Sequence, residues 1–303
     1  MTLTNLKSAL AAGALTLASG TAVIAQDLRI AYTGYSTDNT FWIGVADAAA
    51  AEAEAQGVEF IDMTASSPDS AAQRDAVDRA IDMGVDGIII GSVDNRAFDA
   101  SLDAAAEKGI PVVAVDTGID HPHVSSLVQT DNLAAAGIAG DYIVDQIEEG
   151  KVLILGGSAG HQTGNARRDG VLNAAEAAGH EVIFQICDWQ DACAFETTTN
   201  FLQSDPGITA IFSAWDPGAL AAVSAAKALG RLDDLVIVGF DGNPANLVAI
   251  AEGEQSATIK QDNTRMGTES VQNLLAIING EEAEAVVPID GILITADNVA
   301  DYQ

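Results

Sequence analysis

The sequence predicts an α/β protein of two doubly wound lobes built on parallel sheets. Short β-branched runs alternate with alanine-rich amphipathic stretches, the pattern of strands buried on both faces and separated by helices. The alternation occurs twice, and each pass ends on an apolar run closed by an aspartate with glycine within two residues: Val112 to Gly118, then Val236 to Gly242. Length agrees, because roughly 278 residues remain behind a leader, comfortable for two domains.

The predicted strands are, in order, Arg29 to Thr33, Val58 to Asp62, Gly87 to Gly91, Pro111 to Asp116, Lys151 to Gly156, Glu181 to Cys187, Thr209 to Ser213 and Leu235 to Phe240. The segments between them carry helix punctuation. Ser67 before Pro68 marks a helix start and Gly84 its end; Asp216 before Pro217 starts another, which Gly230 closes. Lys108-Gly109-Ile110-Pro111 stops a helix and starts a strand. Doubly wound lobes place Asp116 and Asp241 at the carboxyl ends of strands, where open α/β sheets bind ligands.

Residues 1–25 read as a signal peptide: Lys7, an apolar run from Ala9 to Leu17, and Val23-Ile24-Ala25 before polar Gln26 and Asp27. Cleavage is expected after Ala25. The run is too short and too interrupted by Gly13, Ser19 and Gly20 to span a bilayer. With 44 acidic against 13 basic residues, the formal charge is −31, which excludes nucleic acid as a natural partner and disfavours anionic membranes. The acids are spread along the chain and serve solubility.

Asp38-Asn39-Thr40-Phe41-Trp42, Asp131-Asn132 through Gly140-Asp141-Tyr142, Arg167 to Gly170, and Val238-Gly239-Phe240-Asp241-Gly242 together resemble the ribose-type periplasmic binding proteins. The resemblance covers the chain from about Arg29 to its end. It implies two Rossmann-like lobes joined by a three-strand hinge, the type I periplasmic binding protein fold. By the same resemblance the chain crosses near Thr130-Asp131, Gln261-Asp262 and Asp290-Gly291. The N-terminal lobe is then 27–130 with 262–290, and the C-terminal lobe 131–261 with 291–303.

A sugar offers apolar C–H faces and a girdle of hydroxyls, so its site needs flat aromatics and planar hydrogen-bonding groups. The resemblance places Phe41 and Trp42 on one sugar face and Trp189 on the other lobe. It turns Asn39, Asp116, Arg167, Asp241 and Gln261 toward the hydroxyls. Carboxylates with a guanidinium discriminate hydroxyl geometry. Arg168 is the alternative to Arg167, which is preferred for its spacing to Gly170. Two departures bear on the ligand. Ala214-Trp215-Asp216-Pro217 stands where the ribose proteins have an asparagine and then an acid, and Thr117 follows Asp116 where they place an arginine. Trp215 and Thr117 therefore join the expected site, and another pentose, a hexose, a polyol or a cyclitol fits as well as ribose.

Cys187 and Cys193 are expected to form a local disulfide in an oxidising periplasm, holding the Trp189 loop; two thiols without nearby histidines make a poor zinc set. His121 and His123 read as loop residues, and His161 as a loop residue with a pocket edge as its alternative. Gly156 to Gly160 lacks the lysine of a phosphate loop. No catalytic residue, metal or cofactor is expected. The function implied is a monomeric periplasmic receptor that closes on a monosaccharide, polyol or cyclitol and delivers it to an ABC transporter permease. The alternatives are delivery to a chemoreceptor or sensor kinase, and a secreted carbohydrate-active enzyme with Asp116 and Asp241 as acid and base.

Overall fold

The computed structural model describes residues 28–303. The expected signal peptide and its cleavage point lie outside the described residues. The chain opens with β1 (Arg29–Thr33), α1 (Thr40–Ala55), β2 (Glu59–Asp62), α2 (Ser70–Met83), β3 (Gly87–Ile90), α3 (Asp99–Lys108), β4 (Val112–Val115) and β5 (Val124–Thr130). It continues through α4 (Asn132–Gln146), β6 (Lys151–Gly156), α5 (Gln162–Ala177), β7 (Glu181–Ile186), α6 (Asp191–Ser204), β8 (Ile208–Ser213), α7 (Asp216–Ala228) and β9 (Val236–Asp241). It ends with α8 (Pro244–Ala251), β10 (Ala257–Lys260), α9 (Asn263–Ile278), β11 (Val286–Ile289) and β12 (Ile292–Thr295).

The strands form two six-stranded sheets, β11-β5-β4-β3-β1-β2 and β12-β10-β9-β8-β6-β7. Pairing is parallel throughout the first; in the second, β12 runs antiparallel to β10 at the edge. Each central strand is apolar on both faces because helices cover both, as in fully buried Ile88, Ile89 and Ile90 of β3 and Val152 to Leu155 of β6. The chain passes from one sheet to the other three times, after β5, after β10 and between β11 and β12.

Each sheet reverses strand order once, between β1 and β3 and between β6 and β8. A crevice opens at the carboxyl edge of such a reversal, and the two crevices here face one another across a shared cleft. Helix ends follow local chemistry. Gly84 and Gly109 cap α2 and α3 in the left-handed region, with φ of +64° and +69°. Two starts differ from expectation. Helix α2 begins at Ser70, because the Asp69 carboxylate accepts from the Ala71 and Ala72 amides and so wins over the Ser67-Pro68 signal. Asp216 is the first residue inside α7, with Trp215 at the cap position.

Helix α4, at the first crossing, packs closely on α5. A Cβ on Gly170 of α5 would lie 2.6 Å from the Leu133 carbonyl oxygen and 2.7 Å from the Gly137 nitrogen, both on α4, whereas a Cβ on Gly137 meets nothing within 4 Å. Gly170→Ala is expected to cost about 1–3 kcal/mol, and Gly137→Ala to stabilise by up to about 1 kcal/mol. Urea unfolding of the two variants checks this, and equal effects would contradict the close helix contact.

Candidate functional site

A cleft of about 460 Å³ lies between the carboxyl edges of the two sheets. All ten residues expected from the sequence line it: Asn39, Phe41, Trp42, Asp116, Thr117, Arg167, Trp189, Trp215, Asp241 and Gln261. They come from loops after β1, β4, β7, β8, β9 and β10 and from the start of α1 and the first turns of α5.

The aromatic walls are bedded on glycine. Trp42 stacks on Tyr35 at 6.3 Å and meets Phe41 edge-on at 5.3 Å. A Cβ on Gly91 would stand 2.1 Å from the Trp42 ring, and one on Gly157 would stand 2.1 Å from Trp189. The Gly156 to Gly160 loop therefore serves as a seat for an indole. Trp189 meets His161 and Trp215 edge-on, at 5.3 and 5.8 Å. The Trp215 Nε1 donates to Asp191 at 3.0 Å. Cys187 and Cys193 are bonded, and Asp188 and Trp189 inside their ring take φ of +50° and +58°. The ring thus holds two consecutive non-glycine residues in a conformation they seldom adopt.

Arg167 is 4% exposed and bonded through Nε and Nη1. Nε donates to Asn132 Oδ1 at 2.8 Å, and Nη1 donates to the Ala214 carbonyl at 2.8 Å and to Asp241 Oδ1 at 3.3 Å. Nη2 stands 4.0 Å from Asp116, and the guanidinium covers the Phe240 ring at 3.9 Å. Arg168 instead pairs with Asp169 and lies over Phe184, off the cleft. Gln261 bridges two of the crossings' neighbours. Its Oε1 accepts from Thr130 Oγ1 at 2.8 Å, while its Nε2 donates to Asp241 Oδ1 at 2.7 Å.

Asp116 and Asp241 both take positive φ, +65° and +132°. Burial raises the Asp241 pKa to about 6 against the opposing pull of Arg167 and Gln261. Behind it lies Asp216, fully buried, accepting from Thr258 Oγ1 at 2.6 Å and from the Asn243 amide at 2.7 Å. Burial first, then the Asp241 charge, pushes Asp216 up to about 7.

Sequence reasoning missed several lining residues, including Tyr35, Ser36, Asp38, Thr40, Ser92, Thr163 and Asn243. For Tyr35, Ser36, Ser92 and Asn243 the signal was available, since each lies within a few residues of a strand's carboxyl end, while Asp38, Thr40 and Thr163 sit at the start of the helix that follows. Asn39 plays a second part, since its Oδ1 caps α1 through the Phe41 amide at 2.9 Å. His161 does line the cleft, while His123 bonds the Ile110 carbonyl in a distant loop. Gln73 was not visible at all as a site residue. It is 2% exposed, donates to the Gly34 and Gly91 carbonyls at 2.8 Å and accepts from the Val93 amide, so it ties the ends of β1 and β3 beneath Trp42.

An acid whose pKa rises on folding holds more protons folded than unfolded between the two values, so its contribution to stability is lost as pH climbs through that window. For Asp216 the window runs from about 4 to about 7. Asp216→Asn removes the contribution. The variant's stability is expected to fall with pH across that window less than the wild type's, by about 1 kcal/mol or more. Urea titrations at several pH values check this, and parallel slopes would place the carboxyl in its ordinary range.

The periplasmic binding protein domain profile matches residues 30–282. The ribose import binding protein of Haemophilus influenzae is 31% identical over 290 residues, 95% of this chain and 97% of its own length. That of Escherichia coli is 28% identical over 96% of this chain and 98% of its own. Among solved structures, an ABC transporter solute binding protein from Bacillus halodurans with bound myo-inositol is 28% identical and superposes with a TM-score of 0.83, over 91% of this chain and 97% of that one. One from Actinobacillus succinogenes with bound D-allose is 25% identical, TM-score 0.85, over 91% and 100%. The chain belongs to the periplasmic binding protein family, in its sugar-binding ABC transporter branch.

Proposed function

We propose that the protein captures a monosaccharide or related polyol or cyclitol in this cleft and delivers it to an ABC transporter permease from the periplasm. The observation that carries the reading is the convergence, in one cleft, of aromatic faces from both sheets with a buried guanidinium held between two carboxylates. Relatives with bound D-allose and myo-inositol support the ligand class. In this reading Phe41, Trp42, Trp189 and Trp215 cover the ring, and Asn39, Asp116, Thr117, Arg167, Asp241 and Gln261 bond its hydroxyls.

Two bodies, 27–130 with 262–290 and 131–261 with 291–303, close about the three crossings. Sheet membership supports this division, as do the contacts across the cleft rim: Thr40 Oγ1 with Asn243 Oδ1 at 3.1 Å, and Thr117 with Thr163 at 3.4 Å. Closure joins the surfaces of both lobes into one face that a permease can read, and the protein acts as a monomer.

A thermal-shift screen of ligand-stripped mature protein against pentoses, hexoses, polyols and cyclitols tests the reading. A ligand at 100 times its Kd stabilises by about 2.7 kcal/mol. Hits within one class are expected, and silence across the panel from folded, empty protein would overturn the reading. Arg167→Met leaves Asp116 and Asp241 without their shared cation and is expected to weaken binding at least about a hundredfold by calorimetry. Replacing Cys187 and Cys193 with serine frees the Trp189 loop, so affinity is expected to drop about tenfold or more, beyond the effect on melting temperature. Unchanged affinity would sink that role for the disulfide.

A further inference from the structure

The charge inside the cleft does not balance. Among the described residues that line it, Asp38, Asp116, Asp191 and Asp241 stand against one guanidinium, that of Arg167. His161 does not make up the difference, because burial lowers its pKa and favours the neutral ring. Lys260, the nearest other cation along β10, turns its ammonium to the Gln261 carbonyl at 3.1 Å and does not line the cleft.

The four carboxylates are not equally free. Asp191 accepts from the Trp215 indole, and Asp38, at the exposed rim, accepts from Ser36. Asp241 is held by Arg167 at 3.3 Å and Gln261 at 2.7 Å. Asp116 is the underpaired one. Its side chain is 10% exposed, the guanidinium is 4.0 Å off, and its close side-chain partner is the neutral Thr117 hydroxyl at 2.8 Å. A buried carboxylate with an incomplete partner is costly, and the cost is removed by a cation that arrives with its own donors.

A second observation points to the same corner. Ser92 lines the cleft, is 1% exposed, and its hydroxyl has no hydrogen-bond partner. It follows β3, the neighbour in the sheet of β4, whose end carries Asp116. An ammonium carries three donors and matches a carboxylate flanked by hydroxyl oxygens.

Resting on the function proposed above, we propose that the preferred ligand is a protonated amino sugar or aminocyclitol whose ammonium group seats against Asp116 beside Thr117 and Ser92. A neutral sugar would satisfy the aromatic walls and Arg167 yet leave Asp116 short of a counter-charge.

Calorimetry on ligand-stripped mature protein near pH 7 and at low salt distinguishes the two, with matched probes that differ in one group: glucosamine and glucose, galactosamine and galactose, scyllo-inosamine and scyllo-inositol. The amine of at least one pair is expected to bind about tenfold or more tightly than its hydroxyl partner. Asp116→Asn should erase that advantage while changing the neutral partner's affinity less. Thr117→Arg, which places a guanidinium beside Asp116, should reverse the preference and keeps the test available where Asp116→Asn fails to fold. Neutral members that bind as well as or better than amines in every pair would overturn the ammonium seat and leave the sugar-receptor reading intact. An amine advantage that survives both variants would overturn its assignment to Asp116. Binding by no member of any pair would overturn the ammonium seat, while the sugar-receptor reading stands or falls on the wider panel of pentoses, hexoses, polyols and cyclitols.

Discussion

Arg167 is the group on which the architecture of the cleft depends. Its guanidinium ties the start of α4, just past one crossing, to the ends of β8 and β9, and it reaches toward Asp116 at the end of β4 on the other sheet. Phe240 closes off one of its faces. A guanidinium so buried is tolerable because Nε and Nη1 each meet oxygens at bonding distance, and the rigid fork lets one side chain bond three separate chain segments while Nη2 is left toward Asp116, 4.0 Å away. A lysine would supply the charge but not the planar geometry.

The same residue sets the electrostatics around it. Asp116, Asp241 and, one layer behind, Asp216 share a single nearby cation, so burial and mutual repulsion push the Asp241 and Asp216 protonation equilibria upward. That arrangement works against stability. Its retention, together with positive φ at both Asp116 and Asp241, is the behaviour expected where backbone and charge are arranged for a ligand and the surrounding sheet supplies the stability. The indoles obey a similar rule: Gly91 and Gly157 leave no side chain of their own so that Trp42 and Trp189 can lie against the backbone.

Much of this was legible in the sequence because the central strands are apolar on both faces and their ends are punctuated by Asp and Gly. Strands β5, β10, β11 and β12 were not read as strands. Strand β5 spells Val-Ser-Ser-Leu-Val-Gln-Thr with polar Ser126 and Thr130 at two of its buried positions, β11 carries Pro288, and β11 and β12 are short edge strands exposed on one side. Their existence was implied only through the crossings that the family resemblance supplied. Within the cleft, charged and aromatic residues after apolar runs stood out, while Ser92 and Asn243 are ordinary loop residues, and Thr163 an ordinary first-turn helix residue, until the fold brings them together. Gln73 lies in the first turn of α2 with no local anomaly, and only the folded chain shows that its amide reaches two strand ends. Asp216 looked like a helix cap, since sequence alone does not reveal that Thr258 and the Asn243 amide converge on its carboxylate.

In the proposed receptor, Asp241 would join ligand capture to lobe movement through a single atom. Its Oδ1 accepts from Arg167, which faces the cleft, and from Gln261, which bonds Thr130 at a neighbouring crossing. A ligand hydroxyl or amine that engages this carboxylate competes with, or strengthens, bonds whose other ends lie at the hinge. The energy available to bias closure is the difference between those interactions in the open and closed arrangements, since a ligand that bonds Asp241 equally in both shifts nothing. Contacts from the opposite sheet supply that difference. In the proposed receptor, Asp116 and Trp42, which line the cleft from the opposite sheet, and Thr40, which bonds Asn243 across the rim, are the residues through which ligand recognition would also make closure favourable.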